Sequence, residues 1–224
     1  MNKLFKTAAF AVVLAIGFTS CSKDSDNEEP EYAAKVTLKD GETKDLSTVA
    51  SAKNTVGTIN RKGNVYGIRN FRQLTLGQDG KPTTTAEREF FFDFKENDAT
   101  AATDAMVSFT GYDRAPNLKS NVAKGFTLSY IDKAFDSVLA NDQFIAAKDN
   151  SLGLNSASVV GWANYSGAPN HQILPVANRT FVIIKDGKAL FKFKINSVYS
   201  NEKPEKDVQP TNYFFYSVDY KEFK

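Results

Sequence analysis

The feature that most restricts the fold is a strict two-residue alternation late in the chain. Phe191, Phe193 and Ile195 alternate with Lys192, Lys194 and Asn196, so one face is apolar and the other solvated, as in a half-buried β-strand. Just upstream, Thr180–Ile184 is β-branched and aromatic, and Asp186-Gly187 separates the two runs as a type I′ hairpin turn requires. Phe214, Tyr216, Val218 and Tyr220 share one face of a last strand, after a loop from Lys203 to Pro210. Shorter runs of the same kind occupy Lys35–Leu38, Val65–Ile68, Phe71–Leu76, Glu89–Phe94, Met106–Tyr112 and Phe126–Tyr130. Ala102–Met106 and Asp142–Lys148 are each expected to turn once as helix. No stretch keeps a 3.6-residue period for three turns, and no repeat of 20 to 50 residues is visible. The reading is therefore all-β: a single antiparallel β domain over residues 33–224, with a hydrophobic content of 42% that suffices for one sizeable core.

The N-terminus reads as an address. Lys3 and Lys6 precede an apolar run from Ala8 to Phe18, followed by Thr19, Ser20 and Cys21, the pattern of a secretory signal peptide over residues 1–20. The run falls well short of the roughly twenty apolar residues that span a bilayer. A Cys directly after such a run resembles the lipobox of bacterial lipoproteins, which implies that Cys21 is lipidated and that the chain meets the membrane through its lipid anchor alone. Residues 21–32 carry acids at Asp24, Asp26, Glu28, Glu29 and Glu31 with a single base, Lys23, and read as a solvated tether. Such an acidic stretch resembles the surface-export signal of some Gram-negative lipoproteins; its plain alternative is a spacer. The expected location is the outer membrane, facing the cell surface.

The residue inventory removes much chemistry. Lys and Arg (28) nearly balance Asp and Glu (26), for a net charge of +2 that falls to 0 once Lys3 and Lys6 are removed, so nothing in the charge asks for nucleic acid. One Cys and one His exclude disulfide scaffolds, Cys/His zinc sites and any site needing two histidines. His171 lies in a proline-bounded loop, and the chain has no Gly-x-Ser-x-Gly elbow, phosphate loop or dinucleotide fingerprint. An enzyme is not expected, although the many acids leave a two-carboxylate glycosidase open. Binding is the class that is left. Most of the 9 Tyr and 18 Phe belong in the core, as does Met106, a common gap-filler. Trp162 and Tyr165, flanking Asn164 ahead of the loop Ser166-Gly167-Ala168-Pro169, are the expected exposed exceptions.

Several segments together carry a resemblance. Gly161-Trp162-Ala163-Asn164-Tyr165, then Asn170-His171-Gln172-Ile173-Leu174-Pro175, Asn178-Arg179-Thr180-Phe181-Val182-Ile183 and Asp186-Gly187-Lys188 resemble the C-terminal half of the HmuY family of haem-binding lipoproteins. Lys133-Ala134-Phe135-Asp136-Ser137-Val138 and Thr103-Asp104-Ala105-Met106-Val107-Ser108-Phe109 fit as well, so the match covers roughly residues 103–224. It implies an all-β surface lipoprotein that holds haem or another porphyrin between loops and passes it to an outer-membrane receptor. It also implies two axial iron ligands, His or Met. One position, five residues after Trp162, is Gly167 here; the other falls in 139–158, where there is neither His nor Met. The candidates left are His171, as a displaced axial iron ligand or a structural loop histidine, and Tyr165, as an oxygen ligand or stacking ring. Trp162 is a pocket wall or a structural anchor. The alternative function is a HmuY-like fold that has lost haem ligation and serves as a surface interaction or glycan-binding module.

Overall fold

The structure is a computed structural model and describes residues 34–111, 116–206 and 212–224. The tether and Cys21 lie outside these residues. The compact unit runs from Ala33 to Lys224. Among the described residues the first strands are β1 (Thr43–Asp45), β2 (Thr55–Lys62), β3 (Val65–Leu76), β4 (Pro82–Ala86), β5 (Glu89–Asp93) and β6 (Asp98–Ala99). After these come β7 (Val107–Thr110), β8 (Leu118–Ser120), β9 (Thr127–Asp132), β10 (Ile145–Ala146) and β11 (Ser151–Leu152). The chain ends through β12 (Ala163–Tyr165), β13 (Ile173–Pro175), β14 (Arg179–Lys185), β15 (Lys188–Tyr199) and β16 (Tyr213–Glu222). Among the described residues one α-helical turn, α1, covers Leu46–Val49.

These strands make two main antiparallel sheets. The larger runs β1-β2-β3-β16-β15-β14-β9-β10, with β4 added on β3; the smaller runs β11-β8-β7-β5-β6; β12 and β13 form a separate pair. The inner faces of the sheets meet in an aromatic core, as period-two strands with one greasy face require. Phe71, Phe193, Tyr216 and Tyr220 come from the large sheet, Phe90, Phe92 and Phe109 from the small one and Phe94 from the turn after β5, all essentially buried. Phe94 lies 4.6 Å from Tyr220 and 5.0 Å from Phe193 between ring centroids, and Phe109 lies 4.9 Å from Tyr216. Burial pushes the hydroxyl pKa of both Tyr216 and Tyr220 up, and each donates its proton to a neighbour, the Thr110 carbonyl and Asn97 Oδ1, at 2.7 Å.

The clearest sequence signal forms as its pattern requires. β14 and β15 pair from Phe181↔Phe193 to Lys185↔Lys188, and the connecting Asp186 and Gly187 both have positive φ (50° and 73°), the requirement of a type I′ turn. Several expectations are corrected. Lys35–Leu38 is not a strand, although Val36 and Leu38 are buried. Val65–Ile68 and Phe71–Leu76 are one strand, broken in pattern only by Asn70 at φ 53° beside a bulge. Of the two expected helical turns, Ala102–Met106 closes one turn, with the N–H groups of Asp104 and Ala105 donating to the Ala101 carbonyl, but does not continue as helix, whereas Asp142–Lys148 contains β10, which pairs Ile145 with Tyr130. Lys192, assigned to the solvated face, is 4% exposed. The segment after β9 folds over it, and Lys192 Nζ donates to the carbonyls of Phe135 (2.7 Å) and Val138 (2.8 Å). Desolvation lowers its pKa.

Candidate functional site

Trp162 is the fixed point beneath the site. It has no exposed surface, so of its two roles it takes that of anchor, and the expectation that it stands out as an exposed ring or pocket wall is corrected. A Trp can be buried whole only when its N–H finds an acceptor. Here Nε1 donates to the Pro116 carbonyl at 2.9 Å, the backbone N–H donates to the Gly153 carbonyl at 2.8 Å, and the indole lies 6.2 Å from the Tyr216 ring.

The chain leaves this anchor as the hairpin of β12 and β13, paired Ala163↔Pro175, Asn164↔Leu174 and Tyr165↔Ile173. Ala163 and Ile173 face inward and are buried, and the Ile173 N–H donates to the Tyr199 hydroxyl at 2.8 Å. The connection is closed by its own polar groups. Ser166 N–H donates to the Gln172 carbonyl, Gln172 N–H to Ser166 Oγ and His171 N–H to the Gly167 carbonyl, each at 2.8 Å. Gly167 and His171 both adopt left-handed conformations, with φ 68° and 50°. For His171 that geometry is uncommon, and it folds the side chain's own residue back along the turn. The result brings together two of the three candidates: the Tyr165 hydroxyl and His171 Nδ1 are hydrogen-bonded, with ring centroids 5.9 Å apart. Tyr165 is 50% exposed and His171 half-buried.

A knot of bonds fixes the base of this hairpin, and none of its members carried a role in the sequence. Arg179, first residue of β14, donates through Nε and Nη2 to the Asp132 carboxylate (2.6 and 2.8 Å) and through Nη1 to the Gly161 carbonyl (2.6 Å). Its guanidinium lies 5.0 Å from the centre of the Tyr130 ring. The Arg179 hydrogen bonds hold the Asp132 pKa below the ordinary value. Asn155 accepts from Gly161 N–H at 2.6 Å and donates to Asn164 Oδ1 at 2.7 Å. Gly161 is required there: a Cβ would run into the backbone of Gly153, Leu154 and Asn155. Its sequence traces were Gly161, Asn164 and Arg179, each within a motif that carries the resemblance; a strand-leading Arg that bonds Asp132, Gly161 and, at 3.3 Å, Asn155 leaves no local pattern.

The positions where the resemblance implies ligands supply none. Gly167 faces open space, with no atom within 4 Å of where a Cβ would stand. In 139–158, Leu139 and Ile145 are exposed apolar residues, while Asp142 pairs with Lys133, upstream of the segment, at 2.8 Å. Met106 is 3% exposed and belongs to the core, as expected. The donor atoms presented by the hairpin are thus one phenol oxygen and one imidazole, both known as haem-iron ligands. On the segment leading into it, Val159 and Val160 are 53% and 44% exposed. A separate cleft of about 440 Å³ is lined by Gln73, Glu87, Arg88, Glu89 and Phe91, among others, and shares no lining residue with the hairpin. Among the described residues no group of three or more His, Cys, Asp or Glu is placed to hold a metal ion. Set against known protein families, curated proteins and solved structures, the chain matches none.

Proposed function

We propose that this protein is a lipid-anchored outer-membrane protein that captures haem or a related porphyrin at the Tyr165–His171 hairpin and passes it to an outer-membrane receptor. The observation that supports the reading is the exposed Tyr165 hydroxyl bonded to His171 Nδ1 on a hairpin anchored by Trp162. The donor set fits a porphyrin held by one axial ligand and not the two-ligand arrangement that the resemblance implies, because Gly167 and the segment 139–158 offer no donor side chain of the right kind. When bound, haem supplies the iron centre and a flat apolar face. Tyr165 or His171 would supply its single axial ligand, and Val159 and Val160, exposed on the segment leading into the hairpin, would offer apolar surface to it.

The test is a haemin titration of the purified protein followed by absorbance. A saturable Soret shift at one equivalent, lost in the combined Tyr165→Phe, His171→Ala variant, is expected. The second reading, a surface interaction or glycan-binding module that has lost haem, is favoured by Gly167 and the ligand-free segment; the absence of any saturable shift would establish that haem capture is wrong and leave this reading in its place.

A further inference from the structure

We propose that the cleft between β3 and β5 binds a short neutral saccharide of one or two rings. The cleft is apart from the β12–β13 hairpin, and the proposal does not rest on the haem reading.

The cleft lies where β3 of the large sheet meets β5 of the small one, and a buried side-chain amide forms its floor. Gln73, in β3 and 4% exposed, accepts from the Phe91 N–H through Oε1 at 2.8 Å and donates from Nε2 to the Thr100 carbonyl at 3.1 Å. The walls are fixed in the same way. On one side the Ala52 N–H donates to the Ala99 carbonyl (3.0 Å) and Asn54 Nδ2 to the Leu74 carbonyl (2.7 Å). On another the Glu87 N–H donates to the Gln73 carbonyl (2.8 Å), and the Arg88 carbonyl accepts from the Gly111 N–H (2.7 Å). The Ala101 carbonyl accepts from the N–H groups of Asp104 and Ala105. A space of about 440 Å³ is enough for a small ligand, such sites holding about 300–1,000 Å³. Because its backbone is already bonded in place, filling it loses little ordering entropy.

The groups that the fold leaves unused there define the ligand. Among the described residues the Glu87 carboxylate, the Arg88 guanidinium and the Thr100 hydroxyl bond no other protein group, although Thr100 is only 6% exposed. Glu89 differs, being held by Lys119 Nζ at 2.9 Å. One negative and one positive charge thus remain, so an anion is repelled by Glu87 and a cation by Arg88. A neutral ligand meets neither penalty. It has to serve a carboxylate that only accepts, a guanidinium that only donates and a hydroxyl that does both. Sugar hydroxyls meet all three demands, since each donates and accepts: adjacent ones can donate to Glu87 while accepting from Arg88 in charge-assisted bonds. The apolar contribution comes from Phe91. Phe90 and Phe92 are buried in the core, and alternation along β5 turns the half-buried Phe91 ring the other way. Its electron-rich face suits the weakly positive C–H groups on one side of a pyranose ring.

The experiment is an amide NMR titration of the purified protein with maltose, cellobiose, lactose and mannobiose in turn. Glucose 6-phosphate serves as the anionic probe and glycylglycine as the zwitterionic one. At least one of the four disaccharides is expected to shift the amides of Phe91, Thr100 and Ala101 saturably, with Kd of about 1 mM or tighter and no loss on raising salt. Glu87→Gln and Phe91→Ala should each weaken that binding at least about tenfold. Since Phe91 is half-buried, Ala101→Trp is the second kind of variant: the position is exposed, and the added ring should fill the cleft and abolish binding while circular dichroism shows the fold kept. No saturable shift with any of the four disaccharides, shifts confined to other parts of the protein, or affinity unchanged in Glu87→Gln and Ala101→Trp would overturn the proposal. Tighter binding of glycylglycine or glucose 6-phosphate than of every disaccharide would overturn it too, and assign the cleft to a charged ligand.

Discussion

Removing the indole of Trp162 measures how far the site depends on its anchor. The side chain is wholly buried, donates one hydrogen bond to the Pro116 carbonyl and packs on Tyr216. Truncating a buried Trp to Ala costs about 3–5 kcal/mol through lost burial and the cavity left behind. For a domain of this length each kcal/mol lowers Tm by roughly 2–4 °C, so Trp162→Ala should melt about 6–20 °C below the wild type. Trp162→Phe keeps most of the ring but leaves the Pro116 carbonyl buried without its donor, a cost of about 1–3 kcal/mol. Urea unfolding followed by far-ultraviolet circular dichroism reads both differences without relying on the indole that is removed. The order expected is wild type, then Phe, then Ala. A loss below about 1 kcal/mol for Trp162→Ala would refute the anchor and imply that the hairpin is held by the Arg179 knot alone.

Three further outcomes follow from the same geometry. Gly161→Ala should destabilise the fold by about 1–3 kcal/mol, because its Cβ meets the backbone of Gly153, Leu154 and Asn155; an unchanged urea midpoint would contradict that packing. Gly167→His has open space and faces only the left-handed backbone at φ 68°, a strain of about 1–2 kcal/mol. It should fold, and by placing an imidazole two residues beyond Tyr165 it should tighten haemin binding at least about tenfold; unchanged affinity would place haem elsewhere. Asp93 is 7% exposed, and burial raises its pKa despite bonds from the N–H groups of Lys95 and Glu96. The native state therefore binds its proton more readily than the unfolded chain, so the stability of the wild type relative to Asp93→Asn should increase as pH falls through the native pKa and level off below the unfolded one. Urea midpoints that move in the opposite sense would exclude this assignment.

How much of this was legible in the residues varies with how local the determinant is. The β14–β15 hairpin was readable because everything that makes it, two alternating runs and an Asp-Gly turn, lies within about sixteen consecutive residues. Lys192 was misread for the opposite reason: alternation places it outside, and only a segment more than fifty residues away in sequence, at Phe135 and Val138, covers it. Val36 and Leu38 alternate correctly and are buried, but alternation reports burial and not a ladder, and Val36 N–H bonds instead to the Glu96 carbonyl at 3.0 Å. The candidate site was legible as residue types. That Tyr165 and His171 touch was not, since it depends on a non-glycine residue adopting φ 50° and on a turn closed by Ser166 and Gln172. Trp162 was placed on the wrong side of the surface because the carbonyl that lets it be buried belongs to Pro116, 46 residues upstream.

The most direct test is a crystal structure of the protein with haemin bound. The account predicts haem seated on the β12–β13 hairpin, with iron at bonding distance from Tyr165 Oη or a His171 ring nitrogen and Trp162 unmoved beneath it. Haem seated anywhere else on the protein would contradict it.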